Sequence, residues 1–593
     1  MHNNTLSKTI KLLVATALGL SLAACASSPN AGWQTAASDC ATAEHTIAAV
    51  QGEQMQSPMV GQLVSVSGVV TASWQAEDEL GGFFLQDDSA GIYVNSVTPV
   101  AIGDRIAVEG VVAEKQQLTQ LTDVLKITTC GTGELPAAKE LRLPVAKLAD
   151  FEALEGQLVH LPQELVVNGT YLLGRHGSFD VAPERLYTPT QIATPGTAAQ
   201  QLAASYQLKR LVIDDNKAPQ PAQVDYPAPA LSAENTLRTG DTVQPMRGIL
   251  SEYNGRYRLQ PTSAVTFQKS NPRPEAPARV DDDRVIRIAT FNVLNYFNGN
   301  GPSQQFPTDR GAKTRADFLR QEAKIIAALI AIDADIIGLM ELENDGYQNH
   351  SAVVRLVNRM RTTTNHDWRF IQAADDTFGG ASITNGLIYR GDRVTAVGEP
   401  LTVTTGPFSN RSRYPLIQRF QPSYSAESFA VAVNHFKSKG SCPRDDADPN
   451  ANQGDGQACW NAARTESARL LVEFMSTEST LAQTPAQVLL GDFNAYAQED
   501  PLQLFAQAGY HNRIEHFEPQ GYSYVYDAQA GSLDHILVSD ALHGRVLQQQ
   551  HWLVNADEPT ALGYDNFAQQ PNWYAPSPYR SSDHDPVIID LQF

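Results

Sequence analysis

Apolar and polar residues alternate over short stretches in the first half of the chain. In the second half, apolar residues form continuous runs separated by segments of helical spacing. Over residues 60–70, 82–86 and 102–112 the alternation has the period of two expected of strands with one buried face. The regular recurrence of these stretches between turn residues predicts a small all-β barrel or sandwich over 46–140. A related pattern returns downstream. Leu154-Glu155-Gly156-Gln157-Leu158-Val159 echoes Val60-Gly61-Gln62-Leu63-Val64, and Gly240-Asp241-Thr242-Val243 echoes Gly103-Asp104-Arg105-Ile106. A second β module is therefore expected over 150–270. Residues 271–283 are Pro-rich, charged and aperiodic, which predicts a linker. From 284 to 593, strand-like runs (336–340, 488–490) alternate with helical spacing (318–332, 460–475). That alternation predicts layered sheets and helices with a site at the strand ends.

The N-terminus is read as a targeting segment. Lys8 and Lys11 accompany an apolar run that ends at Leu22-Ala23-Ala24-Cys25, the form of a secretory signal over 1–25. The run is short for a membrane span. Leu-Ala-Ala-Cys resembles a bacterial lipobox, which would make Cys25 a lipidated first residue. Ala26 after it resembles lipoproteins sent to the outer membrane. The chain is thus expected to be exported, as an outer-membrane lipoprotein or an extracellular protein, with 26–45 as a tether. Five cysteines occur, and an even four remain once Cys25 is set aside: Cys40, Cys130, Cys442 and Cys459. Three pairings are open; proximity within the expected domains suggests Cys40–Cys130 and Cys442–Cys459. The second would contribute on the order of 3 kcal/mol in the chain-entropy model. No Cys-x-x-Cys pair offers a zinc site.

The net charge of −21 argues against nucleic-acid binding through the global field and is read as solubility. A local basic strip and a divalent cation could still hold phosphate. Candidate chemistry gathers where strand-like runs end. Glu341 follows 336–340 and Asn292 follows 286–290; a carboxylate and an amide at strand tips suit a hard cation. Asp492 and Asn494 stand two apart, on one side of an extended segment. Asp583-His584-Asp585-Pro586 opens the run 587–591, Asp534 precedes 535–539, and His435 follows 429–433. An imidazole oriented by a carboxylate is a general base at neutral pH. A second imidazole can donate to phosphate as charge develops.

These segments occur in order as Thr290-Phe291-Asn292, Leu339-Met340-Glu341, Asn434-His435-Phe436-Lys437-Ser438, Gly491-Asp492-Phe493-Asn494, Ser532-Leu533-Asp534-His535 and Ser582-Asp583-His584-Asp585-Pro586. Together they resemble the exonuclease–endonuclease–phosphatase superfamily over 284–593. The resemblance implies a four-layer α/β sandwich, with Asn292 and Glu341 at a metal and Asp492 and Asn494 beside the attacking water and phosphate. It implies His435 on the phosphate, Asp534 orienting His584 as base, and Asp583 assisting metal or His584. The implied cofactor is Mg²⁺, with Mn²⁺ as an alternative and Ca²⁺ as a structural or second ion. Arg310-Gly311, Phe318-Leu319-Arg320-Gln321, 383–390 and His435-Phe436-Lys437-Ser438-Lys439-Gly440 are similar to bacterial extracellular nucleases. Asn385, Arg390, Lys437, Lys439 and Arg464 are candidate phosphate contacts. The oxygen-rich loop 445–455 lacks the EF-hand spacing and is read as solvated.

The two upstream modules resemble oligonucleotide/oligosaccharide-binding (OB) barrels. Tyr253 and Tyr257 flank Asn254-Gly255-Arg256, a hairpin signal, and are read as cross-strand packing residues rather than stacking platforms. The whole chain is thus expected to be a multidomain, extracellular or surface-tethered metal-dependent nuclease acting on DNA with little sequence preference, with RNA open, and no protein partner is inferred. A phosphatase or lipid phosphodiesterase, and a non-catalytic nucleic-acid or glycan binder, are the competing readings.

Overall fold

The computed structural model describes residues 43–217, 223–374, 378–566 and 570–593. The expected signal, Cys25 and Cys40 lie outside the described residues. Among those residues no helix is long and apolar enough to cross a membrane.

Strands β1 (Leu63–Trp74), β2 (Gly82–Gln86), β3 (Gly91–Val94), β4 (Asp104–Lys115) and β5 (Leu118–Thr132) close a barrel in the order β1-β2-β3-β5-β4. The alternation read from the sequence accounts for it: Val64, Val66, Ile106 and Val108 point inward and meet Phe83, Leu85 and Ile92. β3 runs parallel to β5, the one parallel pairing in the barrel.

The second region differs from a second small all-β module. It consists of β6 (Lys139–Glu140), β7 (Leu158–Leu161), β8 (Leu165–Gly169), β9 (Phe179–Ala182), β10 (Leu211–Ile213), β11 (Thr242–Val243), β12 (Met246–Tyr253), β13 (Arg256–Pro261) and β14 (Phe267–Gln268). These form one nine-stranded sheet, interrupted in sequence by the helix Thr197–Gln207. That helix buries only Ala199 and Tyr206, a weak apolar stripe easily missed beside the strand pattern. β12 and β13 form the hairpin that Asn254-Gly255 signals, and Tyr257 stacks on Phe151 at 4.8 Å. The segment 271–283 is firmly held. Arg273 pairs with Glu558, while the carbonyls of Pro277 and Ala278 accept from Arg287.

The rest comprises β15 (Val285–Tyr296), β16 (Ile336–Glu343), β17 (Trp368–Phe370), β18 (Ile383–Arg390), β19 (Val394–Leu401), β20 (Leu416–Pro422) and β21 (Phe429–His435). It continues with β22 (Gln487–Asp492), β23 (Tyr510–Asn512), β24 (Tyr524–Tyr526), β25 (Gln529–Gly531), β26 (Asp534–Ser539), β27 (Val546–His551) and β28 (Val587–Gln592). Two six-stranded sheets result, in the orders β17-β18-β16-β15-β28-β27 and β19-β20-β21-β22-β26-β23, while β24 and β25 pair as a separate hairpin. Their inner faces pack Ile286, Ile288 and Ile336 against Val431, Val433 and Leu490. One outer face, with Ala289 and Leu339, meets the helices Arg315–Ile332 and Ala352–Thr364. The other, with Ala432 and Leu489, meets the helix Asn461–Thr477. Strands buried on both faces explain the unbroken apolar runs. The sheets pack tightly at Gly338, where a Cβ would stand 2.2 Å from Leu490 Cδ1.

Candidate active site

The central pairs of the two sheets are parallel, β15 with β16 and β21 with β22. Their C-terminal ends therefore open on the same edge and carry Asn292, Glu341, His435 and Asp492. Pairing is irregular there, between Asn292 and Tyr296 and between Leu339 and Leu342. Such bulges re-aim side chains at the rim of a sheet. Glu341 (φ +67°) and Asn494 (φ +49°) adopt left-handed backbone, which non-glycine residues hold only where the surroundings enforce it.

The structure brings most of the expected residues together. Asn292 Nδ2 donates to Asp492 Oδ2 at 3.3 Å, and the Asn494 amide donates to Asp492 Oδ1 at 2.9 Å. His584 Nδ1 lies 2.7 Å from Asp534 Oδ2. Oxygen or nitrogen ligand atoms of Asp492, Asp534 and His584 all lie within 4.8 Å of one another. Glu341 Oε2 accepts from the Asn295 amide at 3.0 Å, and the nearby Asp583 charge acts directly on this carboxyl.

Electrostatics divide the roles. Burial, followed by the Asp583 charge, raises the Glu341 pKa. Burial pushes Asp492 up to about 7; His584 opposes this, while Asp534 and Glu341 reinforce it. Burial disfavours charge on His584, yet Asp534, Asp583 and Asp492 together hold its pKa well above the ordinary value. His435 goes the other way: burial, then Arg413, His584 and Arg310, hold it well below. Its Nε2 is 3.5 Å from Asp492 Oδ2, so this contact involves a neutral ring rather than an ion pair.

The oxygen donors fit a hard divalent cation. Asp583 raises the proton affinity of Glu341, Glu341 raises that of Asp492, and Asn292 adds an amide, so oxygen donors gather at this edge.

Several expected phosphate contacts are corrected. Arg464 is fully buried, and its guanidinium donates to the carbonyls of Lys437, Cys459 and Gln457; it anchors a loop. Arg464→Met is expected to cost about 2–3 kcal/mol in denaturant melts, since carbonyls lose their donors, with KM of the folded protein unchanged. Lys439 is held by the buried Glu499, 2.7 Å from its Oε1. Arg390 lies at the far end of β18, where Tyr389 pairs with Ile336, and it bonds Asp392 at 2.9 Å. Asn385 does sit at the active edge: its Nδ2 donates to the Tyr414 carbonyl at 2.8 Å, and its buried Oδ1 has no partner. Lys437 is half-buried over the Trp460 ring, its pKa pushed down to about 8 by burial and by Arg413. Cys442 and Cys459 are bonded to each other and close the loop between these groups; Cys130 is also disulfide-bonded.

Sequence reasoning missed four contributors. Arg310 and Arg413 supply the positive charge felt by Glu341 and His435. Ser523 Oγ donates to Asp534 Oδ2 at 2.7 Å, and Asn555 Nδ2 holds the His584 carbonyl at 2.7 Å. Arg310 is marked in sequence only by its Arg-Gly motif; the other three sit in loops, without a strand-end pattern to mark them.

Residues 289–584 match the model of the Endonuclease/Exonuclease/phosphatase family, and this part of the chain is a domain of that family. It is therefore a hydrolase domain of the superfamily, whose enzymes are typically divalent-metal-dependent. No curated protein matches the chain. Among solved structures, the human Nocturnin catalytic domain with bound sulfate is 16% identical, covering 53% of this chain and 96% of that chain, with a TM-score of 0.34. D. rerio TDP2 complexed with single strand DNA product is 13% identical, covering 52% and 99%, with a TM-score of 0.33. A Bacteroides thetaiotaomicron mannosyl-6-phosphatase is 19% identical, covering 52% and 100%, with a TM-score of 0.32.

Proposed function

We propose that the chain is a metal-dependent nuclease that hydrolyses phosphodiester bonds of DNA, and of RNA if the 2′-hydroxyl is accommodated, with little sequence preference. The observation that carries this reading is the Asp492–Asp534–His584 cluster beside the neutral His435 and the cations Arg310 and Arg413. Asn292, Glu341 and Asp583 would hold the cation, with Asp492 at its edge. When bound, Mg²⁺ or Mn²⁺ supplies charge stabilisation for the phosphoryl oxygens.

The chain's own groups then divide the work. Asp492, with its pKa near neutrality, takes the proton of the attacking water, and Asn494 beside it orients that water or a phosphate oxygen. His584, charged through Asp534, gives its proton to the leaving oxygen as the scissile P–O bond breaks, rather than acting as the base expected from sequence. His435, uncharged, donates a hydrogen bond to a phosphoryl oxygen as negative charge grows there. Arg310, Arg413 and Lys437 give the acidic chain a local basic strip for the strand.

The closed barrel with β3 parallel to β5 supports reading 63–132 as an OB-like module that guides nucleic acid. Export and a lipid at Cys25 belong to the same proposal and rest on the N-terminal sequence. The test is supercoiled plasmid with Mg²⁺, run with EDTA and with His584→Ala. Nicking that disappears in both controls is expected. Plasmid left intact by the wild type across divalent metals would refute the reading and favour phosphomonoesters or phospholipids.

A further inference from the structure

Away from the catalytic edge, the barrel and the nine-stranded sheet meet over a cluster of acids. Glu114 projects from β4, Glu152 ends the helix Ala149–Glu152, Glu155 follows it, and Glu252 lies on β12. Carboxylate oxygens of Glu152, Glu155 and Glu252 lie within 4.8 Å of one another. Thr119, from the barrel, ties Glu114 to this group. Its amide donates to Glu155 Oε1 at 3.1 Å and its hydroxyl to Glu114 Oε1 at 2.6 Å.

An acidic cluster alone would mean little, but the unpaired atoms are informative. Glu155 and Glu252 are 2% and 3% exposed, and the Oε2 of each is buried with no hydrogen-bond partner, as is Glu114 Oε2. Leaving even one buried oxygen without a partner costs about 1–3 kcal/mol, more if it is charged. Burial and mutual repulsion raise the proton affinity of Glu155, and push Glu252 up to about 7. What opposes this is the Thr119 amide for Glu155 and the Tyr257 hydroxyl for Glu152 and Glu252, neither of them a positive charge. Hard oxygen donors on four separate side chains, able to bind through one or both oxygens, match the flexible six-to-eight-oxygen shell of Ca²⁺ better than the tight octahedron of Mg²⁺.

We infer that Glu114, Glu152, Glu155 and Glu252 form a Ca²⁺ site that clamps the barrel to the second β region. The site is remote from the family chemistry and does not depend on the nuclease reading.

The test uses Tb³⁺ as a luminescent stand-in on the full chain carrying Glu341→Gln, which weakens cation binding at the catalytic edge. Tyr257, whose hydroxyl is 2.8 Å from Glu152 Oε2, would sensitise the emission. Saturable emission displaced by Ca²⁺ is expected, with affinity lowered at least tenfold by Glu155→Gln or Glu252→Gln and unaltered by the exposed Glu134→Gln. Thermal melts provide a second reading. Ca²⁺ should raise the midpoint over EDTA in the parent, and this rise should shrink in both Gln variants. The Gln variants should fold at least as well as the parent in EDTA, since each removes repulsion. Emission and midpoint shifts indifferent to Glu155→Gln and Glu252→Gln, or absent in the parent, would overturn the site in favour of carboxyls sharing protons.

Discussion

Asp534→Asn should lower kcat by roughly three to four orders of magnitude while changing KM little, the scale seen when the carboxylate behind a catalytic imidazole becomes an amide. The geometry gives the reason. Asp534 Oδ2 accepts from both His584 Nδ1 and Ser523 Oγ at 2.7 Å, so it fixes the ring and its charge at once. Its charge is the leading influence that raises the His584 pKa against burial. Without that carboxylate the pKa falls, and the imidazolium is lost at lower pH. If His584 acts as a charged donor, activity declines as pH rises through its pKa, so the alkaline limb of the variant must move toward acid. A pH–rate profile checks this. An unmoved alkaline limb, or a loss confined to KM, would refute the role given to Asp534.

Asp557→Ala is expected to cost about 3–5 kcal/mol, the range for stripping one partner from a buried ionic network. Asp557 is fully buried and accepts from Asn271 Nδ2 and Arg185 Nη2, both at 2.7 Å, from Arg238 Nη2 at 3.3 Å and from the Tyr522 hydroxyl. Beside it, Glu558 binds Arg238 and Arg273. Burial opposes the Asp557 charge, yet Arg185 and Arg238 hold its pKa below the ordinary value. Its stabilisation is therefore complete above the unfolded pKa and fades only as pH drops below about 4. Arg185 and Arg238 belong to the second β region and Asp557 to the hydrolase domain, so the loss should also decouple the two. Denaturant unfolding at neutral pH should resolve two transitions where the parent shows one. A single transition at the parental midpoint would show the network to be dispensable.

These two residues also mark how far the sequence could be read. Asp534 was legible because it stands at the start of an apolar run, and such runs end where the sheet ends; the same logic found Asn292, Glu341, His435 and Asp492. Asp557 lies in a loop whose importance comes from guanidinium groups more than 300 residues away, as the 372-residue separation from Arg185 shows. No local pattern encodes that meeting. Charge alone is a poor guide to phosphate contacts for the same reason. Arg464 and Lys439 carry the expected sign in the expected motif, but burial turns one toward carbonyls and the other toward Glu499. Arg413 and Arg310, less conspicuous in sequence, remain at the edge where phosphate would arrive. In the β modules the two-residue period found the barrel, whereas the helix Thr197–Gln207, with two buried side chains, gave too faint a signal.

The close approach at Gly338 would make catalysis sensitive to a dimension that none of the proposed site residues controls. Glu341 hangs from one sheet and Asp492 from the other, and the gap between those sheets is gauged by a missing methyl group resting on Leu490. Enlarging that contact would wedge the halves of the active site apart as a hinge pin would, dimming the enzyme from deep within its core while every catalytic side chain stayed in place on its own strand.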